Sequence, residues 1–214
     1  MKKATGVVQR GRGRPRGFDQ EVALERAMLL FWERGYEATS LDELSAAMGI
    51  SPSSLYATFG GKEQLFRAAV DLYLARGGGN MARIFAEEPT ARGAVRRLLE
   101  TAADELTRTD HPSGCMIALA GTQCSPGARP IQDLLRGHRE AWHVALQARI
   151  QRGIEAGELA PGTDAAALTT LYSTLLLGMS VQARDGASRE SLRAAAEAAM
   201  RAWPGAPRGP QDPA

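Results

Sequence analysis

The chain has 214 residues, 44% of them hydrophobic, which is enough apolar material to fill one large domain or a small one plus a larger one. No apolar run approaches the ~18 residues that would cross a bilayer, and the basic start MKKATGVVQR lacks the apolar stretch of a secretory signal. A soluble cytoplasmic protein with no membrane partner is therefore expected. Two cysteines, Cys115 and Cys124, are too few for a disulfide framework and lack C-x-x-C spacing.

Charge is unevenly placed. Residues 1–17 carry Lys2, Lys3, Arg10, Arg12, Arg14 and Arg16 with no acid, leaving 20 bases against 24 acids in the remainder. A flexible basic arm (1–17) on a mildly acidic body points to a polyanionic partner at that end, although a solvated terminus would have the same composition.

From Asp19 onward the sequence reads as helix, with almost no strand signal. Leu24, Ala27, Met28 and Phe31 follow a helical stripe, with Asp19 as N-cap and Gly35 as stop. In TSLDELSAAMG, Ser40 and Glu43 form a capping box, Leu41, Leu44 and Met48 share a face, and Gly49 ends the helix. Ser51 can cap a short third helix opened by Pro52, where a missing N–H is harmless; Leu55 and Phe59 turn inward before Gly60 and Gly61. A longer helix from Lys62 buries Leu65, Phe66, Ala69, Leu72 and Tyr73 and fades at the glycine run 77–79.

Helical patterning continues over roughly 90–108, in a shorter piece after His111 and Pro112, and from Ile131 to about Ala156. The last carries the stripe Leu134, Leu135, His138, Trp142, Ala145, Leu146 and Ile150. Two further helices span Asp164 to Ala183 and Ser188 to Trp203, the second with Leu192, Ala195, Ala196, Ala199, Met200 and Trp203 in register. A proline-punctuated tail over 205–214 reads as disordered. On one continuous helix, Cys115 and Cys124 would lie ~13 Å apart on opposite sides, too far for a disulfide. No phosphate loop, metal signature or dinucleotide fingerprint is present, and no spacing sets a base and a carboxylate beside a thiol, so no cofactor, metal or enzymatic activity is expected.

The second helix, a turn at Gly49, Ile50 and Ser51, and the short third helix have helix-turn-helix spacing, with the third in the recognition position. The run from Phe18 to about Tyr73, carried by AMLLFWERGYEATSLDELSAAMGISPSSLYATFGGKEQLF, resembles the tetracycline-repressor-like (TetR) family of transcriptional regulators. The chemistry fits: hydroxyls and helix N-termini can hold phosphate without formal charge, and Thr39, Ser40, Ser51, Ser53, Ser54, Tyr56 and Lys62 supply such groups. The resemblance implies that Tyr56 and Lys62 grip phosphates and that Ser53 and Ser54 lie nearest the bases. Simple capping accounts for Ser51 and in part for Ser40. The third helix has no Arg or Asn for bidentate base reading, which leaves contacts by hydroxyls and Thr58, DNA shape, or the arm. Arg12, Arg14 and Arg16 resemble an arm that enters the minor groove.

The same resemblance implies an all-α chain divided into a DNA-binding domain at 18–61 and a ligand-binding and dimerisation domain at 62–204. Leu171, Leu175, Gly178, Leu192, Ala196, Ala199 and Met200 would form a homodimeric four-helix bundle, and a two-fold dimer implies a palindromic double-stranded operator. An apolar cavity for an unidentified small-molecule effector would be lined by Met116, Leu119, His138, Trp142, Leu146 and Tyr172, although such residues also build ordinary cores. The implied function is a repressor released from its operator by the effector. Removing residues 1–13 is expected to weaken operator binding and flatten its salt dependence; an unchanged slope of log K against log salt would reject the arm's role.

Overall fold

The computed structural model describes residues 18–77, 81–122 and 124–205, and among these described residues there are ten α-helices. The basic arm with Arg12, Arg14 and Arg16, and the tail from residue 206, lie outside the described residues. In order, the helices are α1 (Gln20–Arg34), α2 (Leu41–Met48), α3 (Pro52–Phe59), α4 (Lys62–Ala75), α5 (Met81–Glu87), α6 (Ala91–Leu106), α7 (Met116–Leu119), α8 (Arg129–Glu155), α9 (Ala165–Arg184) and α10 (Arg189–Arg201). No strand occurs among the described residues.

Local chemistry sets the ends. Asp19 accepts the Glu21 and Val22 amides, Ser40 and Glu43 close both bonds of a capping box, and Ser51 accepts from Ser54 one residue before Pro52. Asp164 and Ser188 cap α9 and α10 in the same way. Gly49 ends α2 at φ 70°, a left-handed conformation that glycine adopts without a Cβ penalty, and so turns the chain directly into α3.

The helices enclose two apolar cores. The first joins α1 to α4 through Phe31, Leu44, Leu55, Leu65 and Phe66, and is completed by Met116, Ile117, Ile131 and Leu135 from α7 and the start of α8. Phe31 and Phe66 meet edge to face at 4.9 Å. The second packs α5, α6, the later half of α8, α9 and α10 around Leu99, Leu146, Ile150 and Tyr172. Because α4 belongs to the first core, the two cores do not part at residues 61 and 62.

Two local details differ from expectation. The piece after Pro112 forms only the four-residue α7, with Cys115 capping it and Cys124 beyond it, so the thiols do not share a helix. The short α5 had no separate periodic signal, yet it buries Met81, Ile84 and Phe85. α9 has 20 residues and reaches a mean hydropathy of 1.2 over 18 of them, values that the core helix of a bundle also gives. Here it packs along α8 and α6 and ends in Arg184.

Ser45, buried in α2, has no partner for its hydroxyl. Since an unpaired buried hydroxyl is destabilising, Ser45→Ala is expected to raise stability by about 1 kcal/mol, read as an increased urea midpoint at constant m-value.

Candidate nucleic-acid interface and cavity

α2 and α3 are held at a fixed angle by a short, bonded turn. The Gly49 amide donates to the Ala46 carbonyl at 3.2 Å, and the Ile50 amide to the Ser45 carbonyl at 3.0 Å. Leu55 then anchors α3 beneath, fully buried in the first core. What α3 presents outward is Pro52, Ser53, Tyr56 and Ala57, all exposed and none charged. Tyr56 is 53% exposed, unusual for an aromatic side chain beside a core with room for Phe31 and Phe66. Its ring edge rests over Gly61, 3.4 Å from where a Cβ would stand.

A hydroxyl cluster begins this face. Ser51 Oγ accepts the Ser54 amide at 3.1 Å and lies 2.9 Å from both the Ser53 and Ser54 hydroxyls. Ser53 is exposed and Ser54 half-buried. Ser40 stands exposed at the head of α2, but its hydroxyl and amide both engage Glu43 at 2.8 Å. Those bonds, with Arg34 at 2.5 Å, hold the Glu43 carboxyl below its ordinary range.

Thr39 does not belong to this surface. It is fully buried, and its hydroxyl donates to the Gly35 carbonyl at 2.7 Å, so it closes the α1–α2 loop instead of facing a phosphate. Lys62 stands at the start of α4 with its ammonium 4.3 Å from the centre of the Tyr36 ring. Partial burial lowers its pKa, opposed by the nearby acid Glu37. Arg26, which periodicity places on the outer side of α1, reaches toward the turn: its guanidinium lies 3.6 Å from the Cβ position of Gly49.

This arrangement is shared with known regulators. Residues 23–69 match the profile of the bacterial regulatory proteins of the tetR family, and residues 90–199 that of the tetracyclin repressor-like C-terminal domain. The chain belongs to the TetR family. It is 37% identical to the HTH-type transcriptional repressor ComR of Escherichia coli over 94% of this chain and 96% of ComR. It is 30% identical to the repressor BdcR of the same organism, over 86% of this chain and 88% of BdcR. Among solved structures it resembles a cysteine mutant of the TetR-family regulator CifR complexed with 26-base-pair operator DNA, at 44% identity and a TM-score of 0.86, covering 89% of this chain and all of that one.

A cavity of about 910 Å³ in this TetR-family regulator is lined by α1, α4, α5, α6, α7, α8, α9 and the segment leading into α7. Of the six residues expected to line it, only Trp142 does. Met116, Leu146 and Tyr172 are core, and the Tyr172 hydroxyl donates to the Ala199 carbonyl at 3.2 Å. His138 and Leu119 are half-buried away from the wall. The aromatic lining comes instead from Trp32, Tyr73 and His111, with Trp32 stacked on His111 at 4.3 Å and edge-on to Tyr73 at 4.8 Å. Trp32 and Tyr73 come from α1 and α4 and His111 from the loop after α6, segments that only tertiary packing brings together.

Polar groups in the wall are already directed. The Tyr73 hydroxyl donates to Cys115 Sγ at 3.4 Å, and burial pushes both groups' pKa upward, leaving the thiol neutral. His143 Nδ1 lies 3.3 Å from the Ser173 hydroxyl, and Arg139 donates to the Ile117 carbonyl at 2.8 Å. Among the described residues, no group of three His, Cys, Asp or Glu is arranged to hold a metal ion.

Two substitutions separate the interface from its scaffold. Tyr56→Phe is expected to reduce duplex-DNA affinity by about tenfold with an unchanged melting temperature, as for loss of one charge-assisted phosphate bond. Thr39→Ala should lower stability by about 1–2 kcal/mol, because the Gly35 carbonyl loses its donor. Titration of a duplex pool by fluorescence anisotropy, alongside thermal melts, checks both.

Proposed function

We propose that this protein is a dimeric, effector-released transcriptional repressor acting in the cytoplasm. The observation that carries this reading is the outward face of α3: an uncharged surface of hydroxyls around one exposed tyrosine, on the second helix of a capped helix-turn-helix. Such a face can lie in the major groove while neutral donors and the positive end of a helix dipole hold phosphates. Ser53 and Tyr56 are its central residues, with Ser54 and Lys62 at its margin and Arg12, Arg14 and Arg16 following the backbone into the adjacent groove. The repressor names of ComR and BdcR and the operator complex of CifR support the same reading.

Of the residues the sequence implied for the dimer surface, some are free to meet a partner and some are not. Leu192, Ala196 and Met200 are 2–5% exposed and lie in the second core, so they are not free to meet a partner. Leu171 and Val181 on α9, in contrast, are 44% and 47% exposed, and nothing stands within 4 Å of where a Cβ of Gly178 would be. They give α9 an apolar, small-residue face suited to close packing against its two-fold mate, and Ala195 and Ala198 of α10 are exposed as well. Two recognition helices would then stand roughly 34–36 Å apart, matching a palindromic operator.

The cavity suits a small, largely apolar effector. Its walls join helices of both cores, so an occupant that fits one arrangement of them better than another shifts the population away from the DNA-binding form. Selecting bound fragments from the source genome with purified protein, then screening small molecules for thermal stabilisation and release from those fragments, tests the whole reading. Stabilisation by compounds that leave the complex intact would contradict effector release. A substitution addresses the dimer: Leu171→Arg is expected to give a monomer in analytical ultracentrifugation and to weaken operator binding by at least ~100-fold, since the second half-site contact is no longer intramolecular. A dimeric variant of full affinity would contradict this interface.

A further inference from the structure

One side chain ties the dimer-forming helix to the DNA-binding helices. Arg184, the last residue of α9, donates Nε to the Ser113 carbonyl at 2.9 Å, Nη1 to the Glu33 carbonyl at 2.5 Å and Nη2 to the Trp32 carbonyl at 2.8 Å. Two of these carbonyls belong to the last turn of α1, where no helical N–H is left to satisfy them and the helix dipole favours a cation. A planar guanidinium is the side chain able to serve three acceptors at once in fixed directions. The third acceptor is on the 113–114 turn, which Trp32 holds from the other side, its indole donating to the Gly114 carbonyl at 3.0 Å.

The site is built for close approach. Gly114 has φ 80°, and a Cβ there would come within 2.8 Å of the Ser180 carbonyl oxygen and 2.7 Å of Leu119 Cδ1, so glycine is what lets the turn reach α9. No other single side chain on α9 donates directly to α1 among the bonds of the described residues, although Trp32, Gly114 and Ser180 also stand in the cavity wall.

We propose that Arg184 is a positioning residue that fixes the angle between α9 and α1 and thereby sets the operator half-site spacing. This rests on the dimeric operator-binding reading: the face of α9 carrying Gly178 and Val181 would meet the partner less than two turns before the Arg184 clasp, and α1 carries α2 and α3 through the first core. Any rotation of α1 about the end of α9 displaces both recognition helices in opposite senses along the duplex. With the clasp in place a single spacing is favoured. Without it, the DNA-binding helices sample a range of angles, and only the fraction that matches the duplex binds. The clasp lies against the cavity wall, so an occupant pressing on Trp32 or Gly114 acts on the same joint.

The test uses full-length protein and duplexes bearing its selected half-sites at the native centre-to-centre distance and at distances one and two base pairs shorter or longer. For Arg184→Met, affinity at native spacing is expected to fall by about tenfold, as for a competent fraction near one tenth, while preference over the altered spacings shrinks by a similar factor. Arg184→Lys, which keeps the charge but serves fewer carbonyls, should fall between, and it carries the test if the Met variant does not fold. Equal loss at every spacing, or unchanged selectivity in either folded variant, overturns the assignment. A wild-type protein indifferent to spacing would instead sink the two-half-site reading, and this proposal with it.

Discussion

The C-terminal end of α1 is the point on which the rest of the structure depends. Its last turn and the loop that follows bond to three separate places: Trp32 to the Gly114 carbonyl, the Tyr36 amide to the Ala120 carbonyl at 3.0 Å, and the Trp32 and Glu33 carbonyls to Arg184. All are interactions of backbone groups or of side chains with backbone, so they resist sliding more than apolar contacts alone would. α7, though only four residues long, is thereby held between the two cores, with Met116 and Ile117 filling the first. A helix-turn-helix attached in this way can be aimed by events in the C-terminal half. One tethered by a flexible linker could not be.

The interface proposed for DNA carries little formal charge. α3 offers hydroxyls and the Tyr56 ring, and the nearby cations are drawn into other contacts: Lys62 over Tyr36, Arg34 on Glu43. Neutral donors lose less on leaving water than ammonium or guanidinium groups do, so a close-fitting surface of this kind gains from shape as much as from attraction. Such a surface discriminates through fit to the groove and through DNA deformability, with long-range attraction left to basic groups elsewhere. The distribution of charge, six bases in the first 17 residues and a net acidic remainder, is consistent with that division of labour.

Much of the helix-turn-helix was legible in the sequence because its signals are local. Ser40 with Glu43, Ser51 with Pro52, and Gly49 and Gly60 each announce a helix boundary within four residues, and the structure places all of them there. Assignment of side chains to roles was less secure where the deciding partner is not local. Thr39 looks like a surface hydroxyl until the Gly35 carbonyl is found above it. On α10 the apolar stripe of Leu192, Ala196 and Met200 suggests a dimer face, but a helix's strongest stripe first serves the core of its own subunit, where these three are buried. The cavity was the least legible feature, since Trp32, Tyr73, His111 and Trp142 come from four separate segments that only tertiary packing brings together.

Joined at α1, the DNA-binding helices and the C-terminal bundle should behave as one cooperative unit. Native-state hydrogen exchange measures this directly, through the opening free energies of individual amides. The Tyr36 amide should open with the same free energy as the amides of Ala120 and of the α9 C-terminal turn. If Tyr36 instead exchanged through a lower-energy opening shared only with α2 and α3, the helix-turn-helix would be moving independently of the bundle, which contradicts a single cooperative unit.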